Sequence, residues 1–473
     1  MKGPPKPSWD LQFHLLFALI KSFIQDGKNK TVEDIQQQSF MVVPLPADFN
    51  EDKVVISNEY RRQAQPYLEK ILSEYEHVLD NEWKELEDGN EMDQEEENDV
   101  GSKRWLKAKW IYLRERGFKR NYKRIILYLH GGAYMTCNAD SYRAVTTKIA
   151  KEADALVFAA LHDALAAYLY LTNPPENASF ETIDPKQIVI MGDSAGGGLT
   201  VALGLALRDT GLPMVAGLVV WVNSPWLDLT NSMPSYQDPL FYLTDFIPDG
   251  FLVQKSSPAL NSFYRKSEAL SRRIKKENKL QFWDNSFNRN KRVQLYAPNE
   301  ALSVPYVSPI CATSLAGLPS ILVQAGDGER LRDEAIYFSF KASQPEKYNL
   351  PSYNFKNSKR LLFKTPTNVT LEIYQDMPHV FQTFSFGTPA KIAYKHSGEF
   401  IKKVIDNATN QTSPSSEIVS SLDSTKSTYS LISATGKILP LKEEQYSVLK
   451  WTEIGKVPLV ANPTFKLPPP TTS

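Results

Sequence analysis

The run Ile188-Val-Ile-Met-Gly192-Asp-Ser194-Ala-Gly196-Gly197 constrains the fold of this chain more than any other stretch. An apolar, β-branched segment ends in Gly-x-Ser-x-Gly, and a helical pattern from Leu199 to Leu207 starts at once. That is the sequence form of a nucleophile elbow, a sharp strand-to-helix turn that presents a serine. Flanking glycines keep side chains out of a turn where they would collide with neighbouring backbone. The helix that follows points its first N–H groups at the same place.

A second motif lies upstream. Arg124-Ile-Ile-Leu-Tyr-Leu129 reads as a buried strand and delivers His130-Gly131-Gly132-Ala133-Tyr134. Glycines just past a strand end let backbone N–H groups turn outward together, as acyl transfer requires where a carbonyl oxygen becomes an oxyanion. A lone Gly-Gly is an ordinary turn, but the order oxyanion loop, then nucleophile, adds meaning to both. In this arrangement the acid and then the histidine follow the serine. Of six histidines, His379 and His396 lie after Ser194. His396 falls in the helical pattern Pro389 to Val404 and reads as a flank residue of that helix. His379 follows the strand-like Val369–Tyr374 and a short loop, Gln375–Pro378, where a general base can reach the serine. The acid belongs after the strand Ser320–Ala325, in Gly326-Asp327-Gly328-Glu329. Asp333 and Glu334 sit in the first turn of the next helix, as the helix dipole favours. Spacing alone does not choose between Asp327 and Glu329.

His130-Gly-Gly together with Gly192-Asp-Ser-Ala-Gly-Gly197 resembles the hormone-sensitive-lipase (GDXG) branch of the α/β-hydrolase esterases, with fungal esterases and steryl-deacetylase-like members nearest in texture. Ser224-Pro-Trp-Leu-Asp-Leu-Thr230, Tyr306-Val-Ser-Pro309, Leu331-Arg-Asp-Glu334 and Asp376-Met-Pro-His379 extend the resemblance over roughly residues 105 to 405. It implies an α/β fold: a mostly parallel, doubly wound sheet with a helical cap. It implies a Ser194, Glu329, His379 triad, the acid lying four residues before the Asp of Leu-Arg-Asp-Glu, with Asp327 in reserve. The oxyanion donors it implies are the N–H groups of Gly131, Gly132 and Ala195; Ala133 stands where many relatives carry a third glycine. The implied activity is hydrolysis of a small hydrophobic carboxylic ester, such as a short-chain acyl ester or steryl acetate, with no cofactor and no metal. The alternative is a non-catalytic or impaired small-molecule-binding homologue.

One place departs from the family. Relatives carry a Pro-rich loop between the strand after the oxyanion loop and the next helix. Here Ala155–Phe158 runs almost directly into the apolar helical pattern Ala160–Leu171, with no turn residues between. This reads as a deletion of about a dozen residues that shortens the strand near Phe158, removes a wall beside the oxyanion loop and lowers stability and activity.

Zero formal net charge argues against nucleic-acid binding by bulk electrostatics. Cys137 and Cys311 offer no disulfide framework and read as small buried hydrophobes. The sequons Asn177-Ala-Ser179 and Asn368-Val-Thr370 matter only in a secreted chain. Leu11–Ile24 is apolar but interrupted by Gln12, His14 and Lys21, too short to span a bilayer. It is expected as an amphipathic helix over the mouth of the site, with peripheral membrane contact as the sharper reading. The expected location is cytoplasmic, or peripheral to the endoplasmic reticulum or lipid droplets.

The expected organisation is 1–80, N-terminal helices of the cap; 81–103, an acidic loop; 104–405, the catalytic domain, with a cap insertion at about 233–297; 406–435, a disordered Ser/Thr-rich segment; and 436–473, a tail whose Tyr446, Leu449, Trp451 and Ile454 dock back. The basic stretch Lys103 to Arg124 is expected to hold two strands, and the aromatics of the cap insertion to form cap core.

Overall fold

A computed structural model describes residues 3–76, 79, 106–117, 122–160, 164–221, 304–348, 363–410 and 426–441, with shorter pieces between 233 and 301. Its frame is a ten-stranded sheet. In chain order the strands are β1 (Phe49–Ile56), β2 (Leu106–Leu113), β3 (Ile125–Leu129), β4 (Leu156–Ala160), β5 (Ile188–Asp193), β6 (Gly217–Trp221), β7 (Ser320–Gly326), β8 (Val369–Tyr374), β9 (Thr428–Ile432) and β10 (Ile438–Pro440). Across the sheet they run β1-β2-β4-β3-β5-β6-β7-β8-β9-β10. From β4 to β9 every pairing is parallel, while β1, β2 and β10 run antiparallel to their neighbours.

The central strands are apolar along their whole length because both faces are covered. Alternation still sorts their side chains. Ile125, Leu127, Ile188 and Ile190 enter one core, while Ile126, Tyr128, Val189 and Met191 enter the other. The first core packs under α3 (Glu59–Leu72), α5 (Ala164–Thr172), α6 (Ala195–Thr210) and α8 (Arg332–Ser343). The second lies under α4 (Arg143–Ala153) and α9 (Thr388–Asn410). The sheet is therefore doubly wound, and its parallel strands end along one edge, where such folds build sites.

Several expectations need correcting. Residues 1–80 supply α1 (Leu11–Asp26), α2 (Val32–Ser39) and α3, but also the strand β1. Its Asn-Glu-Asp-Lys stretch looks unlike a core strand because β1 lies at the sheet edge, where charge blocks further pairing. Lys103 to Arg124 holds one strand among the described residues, β2. The segment 406–435 is not uniformly disordered: α9 runs to Asn410, and Thr428–Ile432 pairs in parallel with β8. Residues 411–425, the acidic loop and the C-terminal docking residues lie outside the described residues, as does Ser224–Thr230.

The strand near Phe158 is not a stub. β4 has five residues, as β3 and β6 do, and pairs with β3 on one side and β2 on the other. Ala160, read from the sequence as helical, ends the strand level with Leu129, and α5 starts at Ala164. The connection is thus confined to residues 161–163, which lie outside the described residues.

Candidate active site

Four chain segments leave the C-terminal ends of β3, β5, β7 and β8 and meet at one place. β5 ends in Ser194, whose backbone takes φ +50° and ψ −122°. A left-handed φ on a non-glycine residue is strained and costs about 1–3 kcal/mol. The turn that holds it needs Gly196: a Cβ there would overlap the carbonyl oxygens of Leu129 and His130. Ser194 N–H donates to Trp221 O (3.0 Å), which ties the elbow to β6. Ala195 then opens α6, so its N–H lies in the first turn, where no carbonyl of the same helix can pair it.

The loop after β8 brings His379 to the serine, with Nε2 2.8 Å from Ser194 Oγ. Glu329, after β7, lies behind the imidazole with Oε2 4.0 Å from His379 Nδ1, an ion-pair separation longer than a hydrogen bond. The Gly326 N–H donates to Glu329 Oε2 (3.0 Å). Glu329 Oε1 and His379 Nδ1 have no hydrogen-bond partner among the described residues. Asp327, the reserve acid, turns away and pairs with Arg332 at 3.1 Å. Asp333 and Glu334 sit in the first turn of α8, where Asp333 accepts the Ser235 N–H (2.8 Å).

Glu329 is fully buried, and that burial pushes its carboxyl up to about 7 against the opposing pull of His379. Burial alone would lower His379. The Glu329 carboxylate, with Asp245 and Asp193 beyond it, outweighs this and raises the imidazole above its ordinary range.

The loop after β3, expected to supply oxyanion donors, departs from expectation at one residue. Gly131 N–H donates to Asp193 Oδ1 (3.1 Å), so it faces the interior and is already engaged. Gly132, Ala133 and Tyr134 then take φ of +112°, +53° and +61° in succession. Gly132 must lack a side chain, since a Cβ would overlap Thr136 O. Its carbonyl accepts from Met135 and Thr136, closing a tight turn. The N–H groups of Gly132 and Ala133 have no backbone acceptor among the described residues. Ala133, noted in the sequence only as a missing glycine, is thus a donor candidate that motif reading passed over.

Asp193 was in the motif, but its work was not visible there. Its carboxylate is buried and accepts from Tyr128 OH (2.8 Å), Tyr142 OH (2.7 Å) and Gly131 N–H. Burial raises its pKa, and these three donors hold the rise back.

The N-terminal segment packs onto the histidine loop. Trp9 Nε1 donates to Asp376 O (2.8 Å), Ser8 Oγ donates to Asp376 Oδ2 (2.8 Å), and Lys6 lies 3.5 Å from Asp376 Oδ1. Phe13 and Phe17 of α1 are buried with Met377, Phe381 and Phe384. Residues 241–247 close the other flank, where Phe246 meets the His379 ring edge-on at 5.8 Å. His396 forms a separate ion pair with Glu372 (2.7 Å) on the flank of α9, as its helical position suggests. Neither cysteine is in a disulfide among the described residues; Cys311 is buried and Cys137 half-buried.

Residues 126–252 match a family described as alpha/beta hydrolase fold. The fold is that of the α/β-hydrolases. A solved esterase from the bacterial hormone-sensitive lipase family has this fold too, with TM-score 0.50 and 22% identity, covering 82% of this chain and 98% of that one. The chain is also similar to an acetyl-hydrolase of Streptomyces hygroscopicus, 25% identical over 293 residues, 59% of this chain and 75% of that protein. LipR of Mycobacterium tuberculosis is 37% identical over 134 residues, 24% of this chain and 40% of LipR. The chain thus spans less than half of LipR's length.

Proposed function

We propose that the protein hydrolyses a small hydrophobic carboxylic ester through an acyl-enzyme, as a member of the hormone-sensitive-lipase branch. The observation that carries this is the 2.8 Å approach of His379 Nε2 to Ser194 Oγ at a strained turn heading a helix. Ser194 Oγ attacks the carbonyl carbon while His379 takes its proton, and the tetrahedral oxyanion is met by the N–H groups of Gly132, Ala133 and Ala195. Collapse expels the alcohol, protonated by His379, and leaves the acyl group on Ser194. Water, activated by the same imidazole, then releases the acid. Glu329 holds the imidazole and stabilises its charged form. Short-chain acyl esters and steryl acetates fit this chemistry equally.

The test is labelling with a fluorophosphonate probe, followed by p-nitrophenyl esters of rising chain length and a steryl acetate. Wild-type protein labels and turns over; Ser194→Ala does neither. Folded wild type that does not label sinks the reading.

The 4.0 Å gap between Glu329 and His379 favours a second reading, an impaired hydrolase that retains a binding pocket. Under it, labelling is slow, and inserting a Pro-rich loop at residues 161–163 speeds it. If that insertion leaves both melting temperature and rate unchanged, the connection is no defect.

The proposal extends to contact with a lipid surface. Supporting it, Leu11, Leu15, Leu19 and Phe23 are exposed at four-residue spacing on α1, and Leu240 and Leu243 are exposed beside the segment that α1 packs on. No helix among the described residues is long and apolar enough to cross a membrane. Removing residues 1–30 would uncover the core around Phe13 and Phe17, so the better variant replaces the four exposed α1 residues by serine. Wild type is expected to float with phosphatidylcholine liposomes and the variant to sediment; equal flotation overturns the contact.

A further inference from the structure

A buried carboxylate in the cap segment reaches the two loops that carry His379 and Glu329. Asp245 follows the short helix α7 (Phe241–Thr244) and is 1% exposed. Its Oδ1 accepts the backbone N–H of Phe246 (2.8 Å) and that of His379 (3.3 Å). Its Oδ2 accepts the backbone N–H of Arg330 (2.7 Å), the residue directly after Glu329. One side chain therefore bridges the loop after β7 and the loop after β8. Its neighbours fasten the same segment to the acid loop: Thr244 Oγ1 donates to Gly328 O (2.7 Å), and Ser235 Oγ donates to Arg330 O (2.8 Å). Lys21 of α1 donates to Asp245 O (2.9 Å), so the N-terminal helix joins the assembly.

The geometry points to Asp245 as a positioning residue that sets the His379 imidazole against Glu329 and supplies a second buried negative charge to its protonated form. This rests on the hydrolytic reading of the Ser194 site. An amide in its place would keep one acceptor oxygen but would turn an N–H₂ group toward a backbone N–H and remove the charge. The charged groups that act on His379 are Glu329, Asp245 and Asp193, all three favouring its protonated form. Among the cations, Lys21 is coupled to the Asp245 charge and donates to its backbone carbonyl, while the Arg330 guanidinium is turned to Ile247 O and Tyr242 OH. Glu329 feels the opposite effect, since the neighbouring Asp245 charge helps to keep its proton on.

The experiment compares wild type, Asp245→Asn and Thr244→Val. The His379 imidazole is titrated by NMR, and kcat and KM for p-nitrophenyl acetate are followed over pH. Asp245→Asn should lower the His379 pKa by roughly one unit and carry the acid limb of kcat/KM to lower pH by the same amount. In that variant kcat should fall about tenfold, as a one-unit loss of imidazolium stabilisation implies, with KM moving far less. Thr244→Val cuts a cap anchor and leaves the charge in place, so the His379 titration should not move. An unchanged titration in Asp245→Asn, or an equal shift in Thr244→Val, overturns the proposal.

Should Asp245→Asn not fold, Lys21→Met decides: it removes a cation that donates to Asp245 O and is coupled to the Asp245 charge, so the His379 titration should move to higher pH, and an unmoved titration overturns the assignment. Because NMR reads the imidazole without turnover, an inactive wild type with the expected shift would sink the hydrolytic reading alone. An active wild type whose variant titrates unchanged would sink the Asp245 assignment alone.

Discussion

Asp193 and Glu329 are both carboxylates closed off from solvent, and they are held in opposite ways. Asp193 is complete: two tyrosine hydroxyls and the Gly131 N–H converge on its oxygens. Glu329 is incomplete: one oxygen takes the Gly326 N–H, and the other has no partner, 4.0 Å being the distance from its carboxylate to His379 Nδ1. A buried carboxylate needs such partners, since its desolvation otherwise exceeds what the fold can offset. Asp193 is thus built as scaffold, fixing the loop after β3 through the Gly131 N–H. In the proposed hydrolytic cycle Glu329 would be completed during reaction, when the imidazole gains a proton and the unpartnered atoms Oε1 and Nδ1 find a partner.

The largest expected effect comes from removing the charge at the incomplete site. Glu329→Gln should lower kcat/KM by about 10³–10⁴, because an amide neither stabilises the imidazolium nor enforces its tautomer. Stability should move the other way. The folded-state pKa of Glu329, about 7, lies above its unfolded value, so the native state binds the extra proton. That contribution is fully present below about 4.3 and is lost as pH rises through 7. His379, also raised, loses its contribution over a range beginning near its ordinary value and ending above it. Melting curves from pH 4 to 8 should show wild type losing stability relative to Glu329→Gln as pH rises. If the gap between them does not widen, Glu329 is not the incomplete carboxylate proposed here.

The same contrast explains what could be read from the sequence. Ser194 and His379 were legible because each follows an apolar strand, directly or after a short loop, and chain order left few candidates. The fold was legible for a similar reason, since buried parallel strands are continuous apolar runs. β9 was missed because Thr-Tyr-Ser-Leu-Ile alternates with only two aliphatic residues, inside a stretch whose composition resembles a linker. β1 was missed because edge strands carry charge. Ala160 was taken as helical because an apolar run without turn residues does not say where a strand stops. Asp193 was in plain view within the motif, yet its partners Tyr128 and Tyr142 lie 65 and 51 residues away in sequence, and only the fold brings them together. The inward turn of the Gly131 N–H follows from Asp193, so that correction was equally out of reach. Asp245 lies in a cap segment with no periodicity to mark it.

At the complete site the expected effect is smaller in rate and larger in stability. Asp193→Asn keeps the shape but replaces one acceptor oxygen with an N–H₂ group, against donors that cannot all reorient. The backbone N–H of Gly131 has no freedom to turn, whereas the tyrosine hydroxyls do. A loss of about 1–3 kcal/mol is expected, the cost of leaving a buried donor unsatisfied. The oxyanion loop should loosen with it, lowering kcat by about tenfold to a hundredfold, up to the loss seen when one oxyanion donor fails. Denaturant melts and kcat measured together check this. An activity loss as large as that of Glu329→Gln, with stability intact, would erase the distinction between the two carboxylates.

The smallest effect isolates one donor of the scaffold. Tyr142→Phe removes the hydroxyl that donates to Asp193 Oδ2 and leaves the ring packed between His130 and Tyr128. Two donors then remain on a buried charge, so the variant should lose about 1.5 kcal/mol, the low end of the range for a hydrogen bond to a charged group. The Asp193 carboxyl should rise further, because one of the three donors that hold it down is gone. A raised folded-state pKa makes this loss pH-dependent. The variant should approach wild type in stability at low pH, where Asp193 is protonated in both, and fall away from it as pH rises. Since Gly131 keeps its bond to Oδ1, kcat should change by only a few-fold, well below the effect at Glu329. A variant whose deficit does not shrink as pH falls would show that the hydroxyl matters for packing rather than for the charge it faces.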